Sequence, residues 1–341
     1  MNNEDIELGC IGSCNIDLMM EVKDVLRFDL ETPNEPHEFK KYIAIEYSNK
    51  INVEKVNITT GGSAANISVN TSRFGLKTAY IGKLGDDLFG NVSKGFLEDI
   101  GVDTSSLIMS ENYPTGVSVI LITPYAKDRS ILAHKGANDY LKPTDINKEH
   151  LKRYKNLQWS SLTSKFGENS IDKCIDIVKN QNGGLIFACP SNSILKNNLE
   201  GAKKLVRKSN LLTLNKDELK LLTGKESPKE GIKAAIDMGP KIVACTLGNK
   251  GSLLSDGKEI VSANIFEVDV KDTTGAGDAF ASGLIWSFLQ GKTLKEMIEY
   301  STAISSLECT VRGVHDGIPD DMGEIESFIE KNELEIKKSQ L

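Results

Sequence analysis

The chain has 341 residues, enough for one large α/β domain with an appendage or for two domains. Its 41 Lys+Arg against 48 Asp+Glu leave a net charge of −7, which argues against a nucleic-acid-binding surface, and no long apolar run suggests a signal peptide or a membrane span. The six cysteines, at 10, 14, 174, 189, 245 and 309, form no CxxC pair and several sit in apolar runs, so a reduced, cytoplasmic setting is expected.

The first apolar run, residues 6–11, ends in Gly12-Ser13-Cys14-Asn15, the pattern of a central strand entering a loop, with Asp17 just beyond. Between about 23 and 60 the composition shifts to Pro33, Pro36, many charges and the alternation at 42–47, which predicts an inserted β segment with one polar face. Residues 115–133 alternate likewise at 117–122 and 129–133, and the two blocks are expected to pair in a small sheet outside the main domain. From Ser63 a small-residue helix begins, followed by a strand at 78–82 and a helix at 88–100. After about residue 140 the alternation becomes regular. Helices are predicted at 169–180, 193–209, 216–222 and 229–238, and strands at 185–188, 211–214 and 241–246. A hairpin-like stretch at 251–266 and helices at 293–308 and about 321–331 close the chain. Such alternation predicts a mostly parallel sheet covered on both faces, with ligands at the carboxyl ends of its strands.

Asp272-Thr273-Thr274-Gly275-Ala276-Gly277-Asp278 is the stretch that carries chemistry. Residues 260–269 read as a strand before it, and Phe280, Leu284 and Phe288 mark an apolar helix stripe after it. Glycines at a helix start let backbone N–H groups close on an anion. Asp278 there either complements the helix dipole or takes a proton from an attacking hydroxyl. Asn15 and Asp17 either shape a turn or bind a polyol, with Gly61, Gly62 and Asn66 placed to bind the same hydroxyls. Asn215 and Glu218 have the spacing of a capping box. No P-loop, protein-kinase signature, H-E-x-x-H or nucleophile elbow is present.

Gly61-Gly62-Ser63-Ala64-Ala65-Asn66 and residues 272–278 resemble the two signature motifs of the ribokinase-like (PfkB) carbohydrate kinases. Between them, in family order, stand Gly82-Lys83-Leu84-Gly85-Asp86-Asp87, Gly136-Ala137-Asn138, Asn215-x-x-Glu218 and Thr246-Leu247-Gly248-Asn249-Lys250-Gly251. The resemblance covers about residues 6–320. It implies a ribokinase-like three-layer α/β/α domain spanning 1–341, with a mostly parallel central sheet and a β lid from about 17–60 and 112–134. It also implies ATP-dependent phosphorylation of a hydroxymethyl group with Mg²⁺, a monovalent cation such as K⁺ in some members, and lid strands that pair two chains into a homodimer.

Carried over by position, Asp278 would be the base, and Gly275, Ala276 and Gly277 the anion hole. Asn15, Asp17, Gly61, Gly62, Ser63 and Asn66 would hold the acceptor. Asn215, Glu218, Thr246, Gly248 and Gly251 would serve the nucleotide, Glu218 acting on Mg²⁺ through water. Asp272 and Thr274 match the first segment of the monovalent-cation site, whereas residues 311–319 match its second segment loosely. The chain departs from ribokinases in having Ser63 where Lys is frequent, no Glu in Trp159-Ser160-Ser161-Leu162, and Cys189-Pro190-Ser191-Asn192 in place of a D-P-N turn. Residues 62–66, and Thr123-Pro124 before Asp128-Arg129, look more like the nucleoside-kinase branch. The expected acceptor is a sugar other than ribose, with a nucleoside as the alternative. A non-catalytic sugar- or nucleotide-binding protein is the rival of a different class, and the intact Asp278 speaks against it.

Overall fold

The computed structural model describes residues 5–23, 25–32, 35–123 and 129–341; Pro33, Pro124 and Asp128 lie outside them. Strands β1 (Leu8–Ile11), β2 (Asn15–Val22), β3 (Leu26–Thr32), β4 (Glu35–Ala44) and β5 (Val53–Gly61) come first. Helix α1 (Ser63–Arg73), β6 (Thr78–Gly85), α2 (Leu88–Asp99), β7 (Asp103–Ser110), β8 (Gly116–Ile122) and β9 (Arg129–His134) follow. Then come α3 (Lys148–Leu151), β10 (Leu157–Ser160), α4 (Lys165–Asn182), β11 (Ile186–Cys189), α5 (Asn192–Asn197), α6 (Leu199–Arg207) and β12 (Leu211–Asn215). The last part holds α7 (Lys216–Thr223), α8 (Pro228–Met238), β13 (Ile242–Thr246), β14 (Ser252–Ser255) and β15 (Glu259–Ala263). It ends with α9 (Ala276–Leu289), α10 (Leu294–Glu308), α11 (Met322–Lys331) and β16 (Ile336–Gln340).

The large sheet has the order β16-β15-β14-β13-β12-β11-β10-β1-β6-β7. From β13 to β7 every pairing is parallel, and β14, β15 and β16 add antiparallel strands at one edge. Side chains alternate between two cores, as expected of a strand buried on both faces. In β13, Val243 and Cys245 pack with Ile175, Leu205 and Leu222 of α4, α6 and α7. Ala244 between them packs with Ile67, Phe280, Leu284 and Met297 of α1, α9 and α10. This is the expected three-layer α/β/α arrangement.

The smaller sheet has the order β5-β2-β8-β9, and β3 and β4 form a separate hairpin. The two polar-faced blocks therefore share one sheet, but through β2, which pairs antiparallel with β5 and parallel with β8. The alternation at 42–47 falls on the end of β4 and its exit, outside that sheet.

Two expectations about elements are corrected, and two strands are added. The strand read at 260–269 stops at Ala263, because its edge partner β16 begins opposite it and Asn264 instead exchanges hydrogen bonds with Glu335. The helix read at 193–209 is two helices, broken at Asn198, whose backbone turns to φ −152° and whose side chain accepts from Gly201 N. Strands β7 and β16 had no counterpart in the sequence reading; β16, Ile-Lys-Lys-Ser-Gln, is too polar to show a buried face.

Candidate active site

The residues that begin α9 are held by contacts from distant parts of the chain. Gly275 caps the helix at φ +79°, and a Cβ there would lie 2.6 Å from the Val314 carbonyl oxygen, so only glycine fits. Asp272 shapes the turn before it, its Oδ1 accepting from Thr274 N at 2.9 Å and Thr274 Oγ1 at 2.7 Å. Gly277 differs, because nothing lies within 4 Å of the position its Cβ would take. Its open side leaves backbone accessible at the positive end of a helix.

Asp278, in the first turn, is half-buried and accepts a 2.8 Å hydrogen bond from Asn66 Nδ2. Burial raises its carboxyl above the usual value, and hydrogen bonds from Asn66 and Ser63 oppose that rise. The small residues of α1 (Ser63, Ala64, Ala65) and α9 (Ala279, Ser282) let these helices run close, and Asn70 and Ser282 make a second link at 3.3 Å.

Asp278 lines two cavities. One, of about 310 Å³, is also lined by Asn15, Asp17, Gly62, Asn66 and Thr274. The other, of about 120 Å³, is lined by Asn215, Glu218, Thr246 and Gly277. Ser63 and Ser191 line both. Gly275 faces the first and Gly277 the second, so the helix start straddles the divide.

In the larger cavity Asn15 is set by a residue that the sequence reading used only as a landmark. Asn138 Nδ2 donates to Asn15 Oδ1 at 2.9 Å, while Asn138 Oδ1 accepts from Cys14 N at 3.0 Å. Asp17 is 8% exposed, and a Cβ on Gly61 would lie 2.1 Å from its carboxylate. Gly61 thus makes room for Asp17 and does not itself line the cavity.

In the smaller cavity the capping box is complete. Asn215 Oδ1 accepts from Glu218 N, and Glu218 Oε2 accepts from Asn215 N, both at 2.9 Å. Glu218 Oε1 also accepts from Asn192 N at 3.1 Å. Burial pushes the Glu218 carboxyl up to about 7, the two backbone donors oppose this, and the charge of Asp278 adds to it. The capping reading therefore stands beside any ligand role.

Ala276 and Asp272 line neither cavity, and Gly248 and Gly251 do not line the smaller one. Gly251 is a crossing point, where a Cβ would lie 1.9 Å from the Ala263 carbonyl oxygen. Sequence reasoning missed Lys135, Ser118 and Ser193, which line the larger cavity. The G-A-N triplet beginning at Gly136 was the only signal near Lys135.

A helix start open to an anion, a carboxylate beside it and a cavity on either side form an arrangement able to stabilise a transferring phosphoryl group and to accept a proton. The pfkB family carbohydrate kinase model matches residues 6–321, and the chain belongs to that family. It is 25% identical over 284 residues to the ATP-dependent 6-phosphofructokinase of Thermoanaerobacterium thermosaccharolyticum, covering 82% of this chain and 87% of that one. The fold is similar to that of Arabidopsis thaliana ribokinase complexed with ribose and ATP (TM-score 0.78, 23% identity, 95% of this chain and 99% of that one). It is equally similar to an E. coli protein solved with ATP and Mg²⁺ (TM-score 0.78, 22% identity, 96% and 99%). The chain is therefore a kinase of the sugar and nucleoside kinase family.

Proposed function

We propose that residues 1–341 form one kinase domain that transfers a phosphoryl group from ATP to a hydroxymethyl group of a sugar. The observation that carries this reading is that Asp278 lines both cavities beside the open N-terminus of α9. The larger cavity, with Asn15, Asp17 and Asn66, suits a polyol; the smaller, with Asn215, Glu218, Thr246 and Gly277, suits the nucleotide phosphates. The ATP named for a curated relative and for the solved structures above supports the donor.

In this reading Asp278 accepts the proton of the acceptor hydroxyl as the new O–P bond forms and the bond to the departing ADP oxygen breaks. Its raised carboxyl makes it a better base than a fully solvated aspartate. The amides of 275–277 stabilise charge on the transferring group without reorganising. The donor set of the smaller cavity fits Mg²⁺: Glu218 and Asn215 would hold the ion through water, and when bound it would neutralise phosphate charge. Asp272 and Thr274 would stand beside a monovalent cation such as K⁺. The segments 17–60 and 112–134 would act as a lid that excludes water from the acceptor.

The outer side of the small sheet and its hairpin exposes Leu26, Val56, Ile58 and Leu132, which favours burial against a second chain. Light scattering at micromolar protein is expected to give a dimer, and a strictly monomeric mass removes that part of the reading. A cytoplasmic setting fits the six free cysteines, and among the described residues no helix is long and apolar enough to cross a membrane.

The deciding experiment is an ATP-consumption screen over pentoses, hexoses, sugar acids, sugar phosphates, inositol and nucleosides. Turnover on a sugar is expected. Turnover on nucleosides alone would replace the sugar reading, and none on any acceptor would leave the non-catalytic rival standing.

A further inference from the structure

The larger cavity contains one cationic side chain among its described lining residues, Lys135. It follows β9 and precedes the turn at Gly136–Tyr140. Its backbone is fixed, because its carbonyl accepts from Asn138 Nδ2 at 2.9 Å and lies 2.8 Å from where a Cβ on Gly116 would sit. The same Asn138 amide holds Asn15, so Lys135 and Asn15 are set by one clamp.

The side chain is half-buried, and among the described residues no carboxylate lies within ion-pair distance of its ammonium. Two other cations around the small sheet have carboxylate partners, Arg312 with Glu21 and Lys23 with Glu54. Drawing an ammonium partly out of water is unfavourable unless an anion meets it. Lys135 does not line the smaller cavity, where the nucleotide is placed. Its anion therefore belongs to whatever fills the larger one. Asp17 and Asp278 share that cavity and would repel a second negative charge, so the anion belongs at Lys135.

We infer that the acceptor carries a negatively charged group, a carboxylate or a phosphate, which Lys135 binds beside the small sheet while a neutral hydroxyl is presented to Asp278. The word acceptor rests on the kinase reading; the charge selectivity of the cavity does not.

The test measures binding and turnover separately on matched pairs. One arm compares glucose with gluconate, and the other compares fructose with fructose 6-phosphate, by calorimetry with wild type, Lys135→Met and Lys135→Arg. Wild type is expected to bind the charged member of at least one pair about tenfold to hundredfold more tightly, the range of a hydrogen bond to a charged group. Which arm shows the preference separates carboxylate from phosphate. Lys135→Met is expected to bring that ratio close to one, and Lys135→Arg to keep most of it, which distinguishes lost charge from a damaged fold. Equal binding of both members in both arms, tighter binding of the neutral members, or a preference unchanged in Lys135→Met overturns the inference. ATP turnover on the same compounds tests the kinase reading alone, so selective binding without turnover would sink that reading and leave this inference standing.

Discussion

Asn66 and Asp278, 212 positions apart in the chain, are joined by a 2.8 Å hydrogen bond from the amide of one to the carboxylate of the other. The bond fixes the carboxylate at the divide between the two cavities and favours its ionised form.

Two variants separate those roles. Asp278→Asn is expected to lower kcat about 10²–10⁴-fold, the range for a lost general base. Asn66→Ala leaves the carboxylate but removes a bond that lowers its pKa, so the acid limb of the kcat–pH profile is expected to move to higher pH. Near-wild-type turnover in Asp278→Asn, or an unmoved acid limb in Asn66→Ala, contradicts the assignment.

The two glycines proposed for the anion hole, Gly275 and Gly277, are expected to fail differently. Gly275→Ala forces a side chain into the left-handed region and against Val314, costing about 1–3 kcal/mol, so both melting temperature and turnover should fall. Gly277→Ala meets open space, so the melting temperature should stay nearly unchanged while turnover falls because the methyl occupies the ligand's approach. Thermal melts paired with steady-state rates read both outcomes, and equal loss of stability in the two variants refutes the distinction.

Asn138 is expected to act on the acceptor without touching it. Asn138→Ala leaves Cys14 N without its buried partner and frees Asn15, for a loss of roughly 1–3 kcal/mol of stability. The kinetic signature is a raised KM for the acceptor with the KM for ATP retained, and Asp17→Ala should share it. A fall confined to the ATP constants would remove both residues from the acceptor site.

Glu308 supplies a pH test of stability. It is 1% exposed at the end of α10, and one of its oxygens accepts from Gly317 N at 3.1 Å. Burial pushes its carboxyl up to about 8, against the lowering effect of that bond, with Asp316 and Asp272 adding to the rise and Arg73 opposing it. A carboxyl raised on folding contributes stability that is complete below its unfolded value near 4.5 and is lost as pH rises through about 8. Relative to Glu308→Gln, wild type should therefore lose stability across that window. The gap should reach on the order of a few kcal/mol at its upper end, since each tenfold change in proton affinity carries about 1.4 kcal/mol. Parallel denaturation midpoints from pH 5 to 9 would refute the burial account.

Much of the scaffold was legible because it is written in local periodicity. Strands such as Leu211–Asn215 and helices such as Leu294–Glu308 show their buried faces and caps within a few residues. The break at Asn198 is a local cap, but the misread strands had non-local causes. The strand read at 260–269 ends where its sheet partner does, and β16 is recognisable only once β15 is there to pair with it.

By itself, the sequence determined most of the order of strands and helices, the glycines that open α9 and the family to which the motifs at 61–66 and 272–278 belong, because these depend on short-range spacing and backbone freedom. Tertiary structure alone decided which of those motifs meet. Parallel strands bring the ends of β1, β11, β12 and β13 to one edge, and only there do Asn66 reach Asp278, Asn138 reach Asn15 and Lys135 enter the larger cavity. Those contacts join residues up to 212 positions apart and arise from how helices and sheets pack, which no local pattern encodes.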